Sequence, residues 1–95
     1  MFIVEYYEAI KKDFKKLDKQ VLIFLKQEVI PKIAYDPYQY PALQGEFQSY
    51  RKFRFTCHGV SYRIAYEIKS DRKVVLLILV STRENFYQVL KRRIR

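Results

Sequence analysis

The order of hydrophobic and polar positions predicts a short strand at the start of the chain, followed by a helix. Residues 2–7 alternate loosely and are rich in aromatic and β-branched side chains, which is typical of a strand. From Glu8 the period changes, because Ile10, Phe14 and Leu17 recur at i, i+4 and i+7 with lysines between them. This segment is therefore predicted to be an amphipathic helix whose lysines are solvated.

A second helix is predicted directly after the first, so that the two form a hairpin. Asp18 is a residue type suited to the N-cap of this helix. Pro31 lacks an amide hydrogen and is expected to kink or shorten the helix, and Asp36-Pro37 is expected to end it. The apolar positions that share one face of the helix are Leu22, Leu25, Val29 and Ile33.

A connecting loop at residues 38–48 leads into three strand-like runs. The runs cover residues 50–57, 60–68 and 73–80, and short polar turns separate them, which predicts an antiparallel meander. The third run is apolar on both faces, a pattern typical of a central strand. We expect it to pair in parallel with the first strand, with the helical hairpin as the crossover.

The chain closes on a short predicted helix at residues 84–93, which packs through Phe86, Val89 and Leu90. The element order is β-α-α-β-β-β-α. This order predicts an α+β fold, in which a four-stranded, mostly antiparallel sheet carries the helical hairpin on one face and is completed by a C-terminal helix. With 95 residues, 49% of them hydrophobic, and only two Gly and three Pro, residues 1–95 are expected to form one domain.

Several classes of protein are disfavoured by the composition. The longest apolar run, at residues 74–80, is too short for a membrane span, and no signal-peptide pattern follows Met1. Cys57 is the single cysteine and cannot form an intrachain disulfide, so we expect a cytoplasmic protein. With one His and one Cys there is no zinc-ligand set, and no metal or cofactor is predicted.

The positive charge of the chain is confined to its second half. Residues 1–47 balance seven lysines against seven acidic residues, whereas residues 48–95 carry the whole net charge of +9 and all of the arginines. The guanidinium group is a planar fork that matches phosphate oxygens, and clustered cations release counterions when they meet a nucleic-acid backbone. The second half of the chain therefore indicates a surface that binds RNA or DNA.

Strand alternation predicts where the cations of this half point. In the run at residues 50–57, Phe53 and Phe55 are expected to face the helices, which leaves Lys52 and Arg54 on the open face. Arg63 on the next strand can project to the same face. An ordinary solvated sheet face is one explanation of this pattern. Three like charges on adjacent strands repel one another, however, and such crowding favours a bound anion.

The closing helix adds a polar stripe to this surface. Arg83, Tyr87 and Lys91 are spaced i, i+4 and i+8, apart from the packing face of the helix. Arg83 lies where the last strand meets the helix, which can bring it close to the open sheet face. Lys91 and Arg51 complete the predicted phosphate contacts, together with Arg54.

Four segments of the chain resemble the RelE branch of the RelE/ParE toxin superfamily. The resemblance covers nearly the whole chain, and the closing Arg-Glu-Asn-x-Tyr pattern is its most specific part. The fold of that family is similar to the element order predicted above. The segments are Leu43-Gln44-Gly45, the hexapeptide at residues 50–55, Gly59 followed by the pentapeptide at residues 62–66, and the octapeptide at residues 80–87.

This resemblance implies a toxin of a type II toxin–antitoxin pair that enters the ribosomal A site and cleaves mRNA there. In such enzymes the reaction is metal-free: the ribose 2′-OH attacks the adjacent phosphate, the 5′-oxygen leaves, and a cyclic phosphate or 3′-phosphate end results. The implied partners are the ribosome with its mRNA and a cognate acidic antitoxin, which forms a hetero-oligomer with the toxin.

The resemblance also implies roles for individual residues. Lys52 matches the candidate general base, and Arg54 stands where a second cation is found. Arg63 matches the arginine that holds the scissile phosphate, Arg83 the arginine that stabilises the leaving group or phosphate, and Tyr87 the tyrosine that orients the substrate base. A lysine with its ordinary pKa of about 10.4 is a poor base at neutral pH. The positive charges of Arg54 and Arg63 are expected to lower the pKa of Lys52.

Two other functions remain open at the level of the sequence. The first is a ParE-like toxin that inhibits gyrase without RNA chemistry, although such proteins generally lack this constellation of cations and tyrosine on the sheet. The second is an RNA-binding module that never cuts. The mRNA endoribonuclease is the main hypothesis.

Overall fold

Four strands form a single sheet in the order β1-β4-β3-β2. The computed structural model describes residues 1–82 and 84–95. β1 pairs in parallel with β4, whereas β2 with β3 and β3 with β4 are antiparallel. The predicted meander, the central position of its last strand and the parallel crossover are confirmed. The strands are β1 (Ile3–Tyr6), β2 (Tyr50–Cys57), β3 (Val60–Lys69) and β4 (Val74–Thr82).

The predicted helices are present, and the second arm of the hairpin contains a wide turn. That turn is π-helical and directly precedes the helix that carries Pro31. Because proline lacks an amide and its ring clashes with the carbonyl four residues earlier, the wider turn lets the helix continue past it. The helical segments are α1 (Ile10–Lys16), α2 (Lys19–Phe24), the π turn (Leu25–Val29), α3 (Ile30–Tyr35) and α4 (Phe86–Arg93).

The residues at which these helices begin and end agree in part with those predicted from the sequence. α3 ends at Tyr35, just before Asp36-Pro37, as predicted. Asp18 occupies the N-cap position of α2, but its side chain makes no capping hydrogen bond, and its backbone carbonyl accepts the bond from the Leu22 amide instead. α4 begins at Phe86, because Asn85 before it has a left-handed backbone (φ 61°) that a helix does not continue. Two short 3₁₀ turns, Pro37–Gln39 and Gly45–Phe47, lie in the loop before β2.

Apolar side chains form a buried core on each face of the sheet. One face packs against the helical hairpin, and the other packs against α4 and the loop before β2. The buried residues of the first core include Ile10, Val21, Leu25, Ile33, Phe53, Phe55, Tyr62, Ile64, Tyr66 and Leu77. The buried residues of the second core are Leu43, Phe47, Ala65, Ile78, Leu79, Phe86 and Leu90.

A β-bulge in β4 lies beneath α4. Ala65 pairs with Leu79 and Tyr66 pairs with Leu77, so that Ile78 is an extra residue on β4. Both Ile78 and Leu79 consequently belong to the core beneath α4. Among residues 1–82 and 84–95, no helix has the length and apolar content needed to span a membrane.

Candidate active site

A row of paired residues crosses three strands at one end of the sheet. Arg54 of β2 pairs with Arg63 of β3, and Arg63 pairs in turn with Ser81 of β4. Directly paired residues project to the same face of a sheet, and Lys52 shares that face because it is two residues from Arg54. The structure therefore brings together Lys52, Arg54 and Arg63, the three cations that strand alternation placed on the open face.

Arg63 is held in a partly buried position without a complete set of partners. Its guanidinium carbon lies 5.9 Å from the centroid of the Phe86 ring. Its Nε atom is buried and has no hydrogen-bond partner among the described residues. A buried donor without a partner is costly, and a charged one more so. An anion such as a phosphate would offset the charge of this guanidinium.

The environment of Lys52 lowers the pKa of its amine. The largest cause is burial of the amine, and the positive charges of Arg63 and Arg54 act in the same direction. The sequence predicted the effect of the two arginines and missed the burial. A lysine with a lowered pKa spends more of its time neutral near physiological pH, and only the neutral amine can accept a proton.

Tyr87 extends the site from the first turn of α4. Its side chain is 43% exposed, and its ring centroid lies 5.2 Å from that of Phe86 and 5.9 Å from that of Phe47. Phe86 therefore lies next to both Arg63 and Tyr87. The sequence identified Phe86 only as a packing residue, and its periodicity carries no signal for this second role.

Arg83, the candidate for stabilising the leaving group or phosphate, lies outside the described residues. Ser81 pairs with Arg63, and Phe86 lies against the Arg63 guanidinium.

Two predicted phosphate contacts are not part of this cluster. The Arg51 guanidinium donates to the carbonyl oxygens of Tyr38 (3.1 Å) and Tyr40 (2.6 Å), on the face of β2 that carries Phe53. Alternation places Arg51 on the face opposite Lys52, and the loop carbonyls occupy one nitrogen of its guanidinium, so its predicted phosphate contact lies outside this cluster and stays a prediction. The Lys91 amine lies 3.9 Å from the Glu46 carboxylate in an exposed pair, one helical turn beyond Tyr87.

No group of three His, Cys, Asp or Glu side chains that could hold a metal ion occurs among residues 1–82 and 84–95. The functional groups that converge here are amines and guanidinium groups beside an exposed aromatic ring. This set can bind a phosphodiester, neutralise charge that develops on it, and accept a proton at Lys52.

The chain matches a family model described as a ParE-like toxin of type II bacterial toxin–antitoxin systems, over residues 4–91. Among curated proteins, none matches the chain in sequence. Similar solved structures include the RelBE2 toxin–antitoxin complex of Mycobacterium tuberculosis, with 19% identity over 86% of this chain and 98% of that chain and a TM-score of 0.77.

Two structures from E. coli are also similar. A mutant of the toxin RelE in the free state has 21% identity over 98% of this chain and 94% of that chain, with a TM-score of 0.75. The intact RelBE toxin–antitoxin complex has 24% identity over 88% of this chain and 99% of that chain, with a TM-score of 0.71. At these identities the likeness establishes the fold, and the family match extends over most of the chain. The chain therefore belongs to the ParE-like toxins of type II bacterial toxin–antitoxin systems and has the fold of the RelE toxins.

Proposed function

We propose that this toxin is an endoribonuclease that cleaves mRNA in the ribosomal A site by attack of a ribose 2′-OH on the adjacent phosphate. The observation that carries the proposal is the position of Arg63. The buried Nε atom of Arg63 has no partner among the described residues. Arg63 also pairs in register with Arg54, and its charge helps to lower the pKa of the Lys52 amine. A phosphodiester would complete this arrangement.

In the proposed reaction, the neutral Lys52 amine accepts the proton of the 2′-OH. The 2′-oxygen forms a bond to phosphorus, the bond from phosphorus to the 5′-oxygen breaks, and the 5′-oxygen leaves and takes a proton from water. The first product carries a 2′,3′-cyclic phosphate, which water can open to a 3′-phosphate. A positioned general base contributes about 10²–10⁴-fold to such a step.

The arginines act on the charge that accumulates as phosphorus becomes five-coordinate. Arg63 contacts the phosphate oxygens, and Arg54 adds a second positive charge on the same side. The family resemblance assigns the charge on the leaving oxygen to Arg83. A guanidinium is a very weak acid that keeps its proton in proteins, so neutralisation of charge is the main role of both Arg63 and Arg83.

Tyr87 would hold a substrate base by stacking. Its ring is exposed beside Phe86 and Phe47, and every nucleobase offers a face on which such a ring can stack. The substrate is accordingly a single-stranded segment of mRNA whose bases can be splayed apart, as they can be in the decoding site of the ribosome.

A cognate antitoxin is part of the proposal. Two of the similar structures are toxin–antitoxin complexes. The net charge of +9, concentrated in the half of the chain that carries the site, suits an acidic partner that covers the cations and folds as it binds.

A gyrase inhibitor is the second candidate, because the matched family is described as ParE-like. The two functions differ in the product they leave. A reconstituted translation reaction with mapping of mRNA ends detects RNA cleavage, and a gyrase cleavage assay with the same protein detects gyrase poisoning. Cut mRNA with unaffected gyrase supports the nuclease, and the reverse result overturns it.

The test of the nuclease uses wild type, Arg63→Ala and Arg72→Ala in the translation reaction. Arg72 is the matched control, because it is an exposed arginine in the turn at the other end of β3, where it pairs with Glu5. We expect mRNA cuts with wild type and Arg72→Ala and a loss of about 10²–10³-fold with Arg63→Ala. Equal cleavage by Arg63→Ala and wild type would refute the assignment.

A further inference from the structure

A cleft continues from the candidate active site over the outer edge of β2. Its volume is about 530 Å³, and it contains Lys52 and Arg54 of the site. A second cleft of about 560 Å³ shares Lys32 and Tyr40 with the first and extends to Tyr35. The two clefts adjoin at these shared residues, and together they are called the groove. The residues that line the first cleft are Lys32, Tyr40, Pro41, Lys52, Phe53 and Arg54.

One wall of this groove is the segment at residues 37–41, and it is held rigidly. The buried hydroxyl of Tyr66 donates to the Pro37 carbonyl (2.6 Å), and the Lys52 amide donates to the Pro41 carbonyl (3.0 Å). Arg51 binds the carbonyl oxygens of the same segment, and the Tyr40 ring packs edge-on against Phe53 with centroids 4.6 Å apart. The wall is therefore formed before any ligand arrives, which reduces the entropic cost of binding.

The chemistry of the groove matches a single strand of RNA. Its first cleft contains three cations and no carboxylate among the described residues. Farther along, the Tyr35 ring is 75% exposed beside Lys32. A positively charged groove with exposed aromatic rings is the general pattern by which proteins follow a single-stranded backbone and stack its bases. An acidic peptide would use the cations, but it would gain little from the aromatic faces.

We infer that this groove holds the stretch of single-stranded RNA next to the scissile step, with Lys32 at a phosphate and Tyr35 against a base. The inference rests on the proposed function, which places RNA at Lys52 and Arg54. It also gives Arg51 a positioning role, since Arg51 fixes the wall of the groove.

The test compares RNA of two lengths. A trinucleotide fills only the active site, whereas a nonanucleotide also reaches the groove. Both carry 2′-O-methyl riboses, which cannot react by 2′-OH attack. The variant is Lys32→Gln/Tyr35→Ser, and both of these side chains are exposed. The matched control is Lys26→Gln/Ile23→Ser, which removes one lysine and one exposed apolar side chain elsewhere on the same helical arm.

Binding is measured by fluorescence anisotropy over a range of salt concentrations. We expect the variant to weaken binding of the nonanucleotide at least about five-fold, from the lost stacking. The slope of log affinity against log salt should also fall by about 0.7, the value for one phosphate contact on a single strand. The trinucleotide should bind the variant as it binds wild type, and the control should bind both lengths as wild type does.

An equal effect on both lengths, or no effect on either, overturns the inference. The inference is also overturned if the variant loses affinity for polyglutamate by the same factor as for the nonanucleotide, since the groove then recognises negative charge alone. The proposed function is tested separately by mRNA cleavage. Cleavage without the length-dependent loss refutes the groove, and the length-dependent loss without cleavage refutes the nuclease.

Discussion

Arg93 of α4 and Asp13 of α1 form a two-pronged ion pair at the edge of β4. The Arg93 guanidinium contacts both carboxylate oxygens of Asp13, at 2.5 and 3.1 Å. The same groups also bind the backbone of β4, because Asp13 accepts from the Val80 amide (3.0 Å) and Arg93 donates to the Ile78 carbonyl (3.0 Å). The two ends of the chain are thereby joined across one strand.

The position of this pair follows from the length of β1. β1 pairs with β4 only as far as Leu77, so the next backbone groups on that edge have no neighbouring strand. Buried backbone groups need partners, and Asp13 and Arg93 supply them where the bulge at Ile78 bends the strand. The pair also ties α4, and with it Tyr87, to the helical hairpin.

Removing both members of this pair should cost less stability than the sum of the two single removals. Both side chains are largely buried, with 8% exposed for Asp13 and 14% for Arg93. Asp13→Ala leaves the Arg93 charge buried without its partner, and we expect a loss of about 3–5 kcal/mol in the free energy of unfolding. The double variant Asp13→Ala/Arg93→Met should lose less than the sum of the two single variants.

Urea denaturation measures these differences, and Arg92→Met provides the control. Arg92 is the exposed neighbour of Arg93, and its replacement should change the free energy of unfolding by no more than about 0.5 kcal/mol. Additive losses in the double variant would show that the two side chains are not coupled.

Much of the candidate site could be predicted because strand geometry is local. Alternation with a period of two places Lys52 and Arg54 on one face of β2 whatever the rest of the fold does. The register of Arg54 with Arg63 follows from the tight turn at His58-Gly59, where both residues have positive φ, because a two-residue turn fixes every pair behind it.

The remaining features depend on contacts between distant parts of the chain. Asp13 reads as one more polar residue of a lysine-rich helix, and its partner lies 80 positions away. The partial burial of Lys52 depends on the folded surroundings of β2, where Lys52 lines a cleft together with Tyr40 and Pro41 of the preceding loop. The bulge at Ile78 could not be predicted, because β4 is apolar on both faces and an extra residue does not disturb any alternation in its sequence.

Cleavage should depend on pH through Lys52. Because its pKa lies below the ordinary value of 10.5, the neutral, active amine appears at lower pH than for a free lysine. The rate should therefore rise with pH and level off above the lowered pKa. Burial and the charges of Arg63 and Arg54 cause the shift, so Arg54→Gln should move the midpoint of the rise to higher pH.

Single-turnover cleavage of ribosome-bound mRNA over a range of pH measures this midpoint. Arg72→Gln removes an equal charge far from Lys52 and should leave it unchanged. Lys52→Ala should reduce the rate about 10²–10⁴-fold and abolish the rise. If the midpoint is the same with and without Arg54, the two side chains are not coupled as described.

The free energy of unfolding, like the cleavage rate, should rise with pH because of Lys52. Lys52 binds its proton more tightly in the unfolded chain than in the native one, because its pKa is lowered only in the native state. The free energy of unfolding therefore rises as pH increases from the lowered pKa toward 10.5. Urea denaturation of wild type and Lys52→Met across this pH window measures the contribution of Lys52. If the free energy of unfolding of wild type falls with pH relative to that of the variant, the prediction is wrong.

Arg63 should be needed for cleavage and not for stability. Its Nε atom is buried without a partner among the described residues, and Arg54 beside it carries the same charge. Arg63→Met retains the apolar stem and removes both the buried donor without a partner and the repulsion from Arg54. We therefore expect an unchanged or higher free energy of unfolding. Cleavage should fall about 10²–10³-fold. A variant that loses activity only because it unfolds would disprove this separation of roles, and urea denaturation beside the cleavage assay distinguishes the two.

Tyr87 should act through its ring and not through its hydroxyl. The ring is 43% exposed beside Phe86 and Phe47, and stacking on a nucleobase requires only an aromatic face. Tyr87→Phe should therefore cleave ribosome-bound mRNA at nearly the wild-type rate, whereas Tyr87→Ala should lose about 1–3 kcal/mol of transition-state stabilisation. Equal losses in Tyr87→Phe and Tyr87→Ala would assign the role to the hydroxyl instead. Since the side chain is partly exposed, both variants should unfold at similar urea concentrations, so a difference in rate reports on the substrate and not on the fold.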